Sequence, residues 1–91
     1  MRRAAKVDAN HAEIVAAFRQ LGYSVGNLSQ LGGGWPDLLV AKDGRTALVE
    51  VKSAKGKLNR DQLDFVASWH GVIEVARSIE DVLTIDRRLM K

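Results

Sequence analysis

The stretch DLLVAKDGRTALVEVK, Asp37 to Lys52, constrains the fold more than any other part of the chain. Two apolar runs, DLLVA and TALVEVK, flank an Asp43-Gly44 pair, and such a pair between strand-like runs is a strong hairpin signal because both residues tolerate positive φ. The runs are therefore expected to be antiparallel neighbours. Side chains alternate across a strand, so Ala47, Val49 and Val51 share one face while Leu48, Glu50 and Lys52 share the other. An acid and a base thus stand side by side on one strand, and a second acid, Asp37, opens its partner.

The rest of the chain supplies layers for that hairpin. From Asp8, a plausible N-cap, Ile14, Phe18 and Leu21 recur at helical spacing beside Val15, and Gly22 ends the run, which predicts a helix over roughly residues 9–21. Tyr23 to Ser29 reads as a strand with an irregularity near Gly26 and Asn27. LGGGW is irregular. Asn59 and Gln62 have capping-box spacing ahead of Leu63, Phe65 and Val66, a helical face that runs to Trp69 and is stopped by Gly71. VIEVA is a last strand, and Ser78 with Asp81 caps a C-terminal helix carrying Ile79, Val82, Leu83 and Leu89. The expected order is α-β-β-β-α-β-α.

With 91 residues, the chain suits one domain and not two, with a core over about 8–90 and a basic segment over 1–7. Its 46% hydrophobic content is ordinary for a globular protein, and no run nears the roughly 18 apolar residues of a membrane span, so no membrane association is expected. MRRAAKVDANHAEIV lacks the apolar stretch of a secretion signal. The absence of cysteine removes disulfides and thiolate metal sites, which suits a cytoplasmic protein. His11 and His70 have no two-histidine ligand spacing, and KGKL lacks the earlier glycine and following Ser or Thr of a phosphate loop.

The net charge of +3 is modest but uneven. Lys52, Lys55, Lys57 and Arg60 follow one another without an intervening acid, and Arg2, Arg3 and Lys6 form a second group. These groups either meet a polyanion or simply solubilise loops. For Asp37, Glu50 and Lys52 two readings also compete: a turn cap beside a surface ion pair, or a reactive centre. Two carboxylates about 4 Å apart repel by roughly 4 kcal/mol at an effective dielectric of 20, large beside a typical net stability of about 5–15 kcal/mol. A divalent cation relieves that repulsion, and Mg²⁺ commonly takes one or two carboxylates together with phosphate oxygens and waters. Lys52 beside it would stabilise charge building on a phosphoryl group.

Pro36-Asp37 followed by Glu50-Val51-Lys52, in this order of elements, resembles the PD-(D/E)XK nuclease superfamily. More narrowly, GGGWPDLLV, LVEVKS and KLNRDQLDF are similar to small stand-alone VRR-NUC-type nucleases of phage and bacterial genomes, with a general likeness from about Asn10 to Leu83. The chain lacks a Val-Arg-Arg segment, Arg87-Arg88 following Asp86. The resemblance implies an α/β fold with a restriction-endonuclease-like core, an added C-terminal helix and a mixed central sheet. It also implies a Mg²⁺- or Mn²⁺-dependent endodeoxyribonuclease, structure-selective for branched DNA or four-way junctions, acting as a homodimer in a bacterial or phage setting.

By the same resemblance, Asp37, Glu50 and the Val51 backbone carbonyl would hold the metal and Lys52 would be the catalytic lysine. Glu13, on the first helix, would bind the metal directly or through water; a plain solvated glutamate is the competing reading. Gln62 would orient the lysine or the water, a role expected to conflict with its place in the capping box. Gly33 and Gly34 would let a phosphate backbone approach, or merely form a connector. Lys55, Lys57 and Arg60 would contact flanking phosphates with little base specificity. Trp35 either stacks on a base or packs at the rim, and Trp69 is expected in the core. The alternative from another class is a non-catalytic DNA-binding or protein-interaction module that retains the fold.

Overall fold

The Asp43-Gly44 turn joins its strands with both residues at positive φ, 53° and 79°, the signature of a type I′ hairpin. It connects β2 (Leu38–Lys42) to β3 (Arg45–Val51) in an antiparallel pair whose register runs from Lys42 opposite Arg45 to Leu38 opposite Val49. The computed structural model describes residues 10–91; the proposed Asp8 cap and the Arg2, Arg3 and Lys6 group lie outside them. Around the hairpin stand α1 (His11–Gln20), β1 (Ser24–Asn27), α2 (Arg60–Ser68), β4 (Ile73–Ala76) and α3 (Ile79–Leu89). The expected order is the observed one. The described residues form a mixed α/β fold of three helices and one four-stranded sheet, ordered β1-β2-β3-β4, with β3–β4 parallel and the other pairs antiparallel.

One face of the sheet is the core. Leu38 and Val40 of β2, Ala47, Val49 and Val51 of β3 and Ala76 of β4 pack with Ile14, Ala17 and Phe18 of α1 and Val82 and Ile85 of α3. Alternation then sends Leu39, Leu48, Glu50 and Lys52 to the opposite face, where α2 lies. That helix buries no residue fully, and Leu63 on it is half exposed. Trp69, expected in the core, is instead the exposed C-cap residue of α2, because the helix ends at Ser68 and the chain turns to extended backbone there.

The ends of the helices are built by short-range chemistry. Gly22, at φ 96°, closes α1 in a Schellman arrangement, the Tyr23 N–H reaching the Phe18 carbonyl and the Gly22 N–H that of Arg19. The accompanying apolar contact is an edge-to-face pair of Phe18 and Tyr23 with centroids 5.2 Å apart. At α3 the Ser78 hydroxyl accepts the Asp81 N–H, as its spacing predicts. Arg88 of α3 makes a two-pronged bond to Glu74 of β4, at 2.6 and 3.1 Å, tying that helix to the sheet edge.

Buried Tyr23 donates its hydroxyl to Asp86 of α3 at 2.7 Å, and Lys42 stands 3.8 Å from the same carboxylate. Burial first, and then the hydrogen bond to and charge of Asp86, push the Tyr23 pKa well above the usual tyrosine range. The stability this confers is complete below the unfolded pKa near 10 and is lost as pH climbs from there towards the folded value. Tyr23→Phe is therefore expected to lose about 1 kcal/mol in urea unfolding at neutral pH, and to flatten the stability loss that the parent protein shows above about pH 10.

Candidate active site

The site lies where the hairpin ladder stops. Carried one step beyond the Leu38–Val49 pair, the register sets Asp37 opposite Glu50. Asp37 does not cap a turn: its Oδ2 accepts the Val51 N–H at 2.9 Å, continuing the ladder with a side chain, while its backbone carbonyl accepts the Leu28 N–H at 2.6 Å. The carboxylate is thereby fixed against the end of β3. The N–H and C=O of a strand residue point to the same edge, so the Val51 carbonyl is turned towards the Asp37 side.

Glu50 is 5% exposed, so with Lys52 it does not make an ordinary surface pair. Its Oε2 accepts the Gln62 side-chain N–H at 2.8 Å and stands 3.6 Å from the Lys52 ammonium. A buried carboxylate costs several kcal/mol unless polar groups meet it, and here a cation and an amide both approach Oε2. The Lys52 side chain is itself only 17% exposed, so the pair interacts in a partly dehydrated setting where charges act more strongly than in bulk water.

Gln62 both completes the capping box and reaches Glu50, so the two sets of contacts do not exclude one another as expected. Its Oε1 accepts the Asn59 N–H and its backbone N–H donates to Asn59 Oδ1, each at 2.9 Å, completing the capping box. Its Nε2 remains to donate to Glu50. The two ends of one amide serve two partners, so the start of α2 and the buried carboxylate are set by a single side chain.

The three glycines divide. Gly32 and Gly33 adopt positive φ with open space where a Cβ would stand, whereas a Cβ on Gly34, at φ 86°, would run into the Asp61 carbonyl of α2. Gly34 is thus a close-approach residue under the helix, and the open ledge is Gly32-Gly33. Lys55, Lys57 and Arg60 are all exposed on the segment leading from Lys52 into α2. Glu13 is exposed on α1 and does not group with Asp37 and Glu50: among the described residues no three His, Cys, Asp or Glu side chains cluster as metal ligands.

Two residues that the sequence did not single out brace the site. Asn10 stands at the N-cap of α1 but makes no side-chain cap; its Nδ2 donates instead to the carbonyls of Lys52 at 3.2 Å and Arg77 at 3.0 Å. Arg77 in turn donates to the carbonyls of Ser53 at 2.7 Å and Gly56 at 2.6 Å, holding the loop that follows the lysine. An asparagine before a helix reads locally as a cap, so only the tertiary contact reveals its use.

No family model matches the chain, and no characterised protein or solved structure is significantly similar to it. The glycine geometry yields a direct check. Gly34→Ala is expected to cost about 2–5 kcal/mol from positive φ plus overpacking against Asp61, and Gly33→Ala only about 1–2 kcal/mol from φ alone, as read by urea unfolding.

Proposed function

We propose that the chain is a divalent-metal-dependent DNA endonuclease that hydrolyses phosphodiester bonds, of the PD-(D/E)XK kind and similar to small stand-alone VRR-NUC-type nucleases. The observation that carries the reading is the placing of Asp37 and buried Glu50 at the open end of one hairpin, with Lys52 3.6 Å from Glu50. A protein that only binds a polyanion gains nothing from acids set beside the phosphates it must attract.

The donor set fits Mg²⁺ or Mn²⁺: two carboxylates and a backbone carbonyl, all hard oxygen donors, with Asp37, Glu50 and Val51 as the residues that would hold the ion. When bound there, such an ion supplies a Lewis acid that neutralises phosphoryl charge and lowers the pKa of water. The chain's own groups do the rest. Lys52 presents an ammonium to the negative charge that accumulates on the phosphoryl oxygens, and Gln62 holds Glu50 in one orientation. Asn10 and Arg77 fix the backbone around that lysine, so the charge is already positioned when substrate arrives.

Exposed Lys55, Lys57 and Arg60 would neutralise phosphates flanking the cut, giving affinity that falls with salt and carries little sequence information. No helix among the described residues is long and apolar enough to cross a membrane. The likeness to stand-alone nucleases supports a homodimer acting on branched DNA, since two sites related by a two-fold axis can nick two strands.

The test is cleavage of end-labelled linear, flap and four-way-junction DNA with Mg²⁺, Mn²⁺ or chelator. The intact protein is expected to cut in a metal-dependent way, with Asp37→Asn and Lys52→Ala each slower by about 10²-fold or more. Salt-sensitive binding without cleavage of any of these substrates would transfer the case to a non-catalytic DNA-binding module.

A further inference from the structure

An aromatic surface adjoins the site and has no part in the chemistry described above. Trp35, Phe65 and Trp69 form a triad, with ring centroids 4.8 Å apart for Trp35–Phe65, 5.3 Å for Phe65–Trp69 and 5.7 Å for Trp35–Trp69. It is not a core: Trp35 remains 39% exposed and Trp69 38%, and α2 buries no residue fully. Rings held against one another yet open to solvent on this scale present rigid π-faces.

Their position is tied to the site from two directions. Trp35 precedes Asp37 by two residues on the same short segment. Phe65 follows Gln62 by one helical turn, a rise of about 4.5 Å along α2, and Gln62 touches Glu50. The open Gly32-Gly33 ledge, where no atom lies within 4 Å of a would-be Cβ, comes just before Trp35 on that segment. Exposed Lys57 and Arg60 lead into the same helix at its other end. Asp64 falls off the stripe formed by Gln62 and Phe65, whereas Asp61, four residues before Phe65 and packed against Gly34, borders it.

We propose that the exposed rings of Trp35 and Trp69 form a stacking platform for an unpaired DNA base next to the cut phosphate. This inference rests on the nuclease reading and deepens it, because the platform selects DNA whose strand is locally unpaired. A backbone running over the glycine ledge delivers its phosphate to Asp37, Glu50 and Lys52 while its base lies on the rings, with Lys57 and Arg60 on neighbouring phosphates. A base inside an intact duplex keeps both faces in its own stack and cannot use the platform.

The experiment uses Asp37→Asn protein without added metal, so that DNA is bound and not cut. Binding of a single strand containing 2-aminopurine and of the matching full duplex is followed by fluorescence, with quenching of intrinsic tryptophan emission as a second readout. In this background Trp35→Leu and Trp69→Leu are expected to weaken single-strand binding by about 5- to 100-fold each, with duplex binding changed less than about 2-fold and Trp35→Phe restoring part of the loss. Equal losses on both DNAs, or none on either, would overturn the platform. Should the leucine variants disturb α2 by circular dichroism, the Asp37→Asn parent decides alone: no tryptophan quenching by the single strand overturns the proposal. Metal-dependent cleavage by native protein without this quenching sinks the platform only, whereas quenching without cleavage on any substrate sinks the nuclease reading only.

Discussion

A carboxylate with 5% of its surface exposed has to be answered by polar groups, and much of this half of the molecule is arranged around answering Glu50. Gln62 reaches it only because α2 starts at Arg60, and α2 starts there because Asn59 and the other end of the Gln62 amide close a capping box. That first turn lies against the loop between β1 and β2, and Gly34 is the residue that permits the contact with Asp61. Lys52 completes the set from the same strand face. A polar interaction one residue before the end of one strand thus fixes a helix, a glycine and a lysine.

The two faces of the sheet are consequently unlike. One is closed by α1 and α3 in an apolar cluster containing Phe18, Leu38, Val49 and Ile85, the packing from which the fold draws its stability. The other is held by a few specific bonds and by three partly exposed aromatic rings. Division of this kind is what a reactive surface needs: a rigid floor beneath strands that carry the charged groups, and a more open covering through which a large ligand can reach them.

The fold was largely legible in the sequence because local chemistry determines it. The Asp43-Gly44 turn, the Gly22 stop, the Asn59–Gln62 box and the Ser78 cap each act within a few residues, and strand alternation correctly separated Val49 from Glu50. Where several distant elements meet, local pattern gave less. Asn10 bonds across 42 and 67 residues to Lys52 and Arg77, so nothing near it announces that it braces a strand end. Trp69 has the size and apolarity of a core residue, but it stands at the extended C-cap of α2, where its ring meets Trp35 and Phe65 and stays 38% exposed. Glu13 lay at the margin of the apolar helical face, where a rotation of a few tens of degrees decides its surroundings, and it is exposed.

If Glu50 is held in readiness for a cation, its charge is a cost to the metal-free fold, as at sites where function opposes stability. Thermal melting of the native protein and of Glu50→Gln, with and without Mn²⁺, separates that view from a purely structural one. Glutamine keeps the shape and an oxygen for Gln62 but removes the charge that faces Lys52, so without metal the variant is expected to melt within a few degrees of the parent. Mn²⁺ at about 100 times its Kd should stabilise the parent by about 2.7 kcal/mol and leave the variant unmoved. A parent whose melting ignores Mn²⁺, together with a Glu50→Gln variant that melts far lower, would mean that Glu50 is a structural ion-pair partner and that the metal-dependent account is wrong.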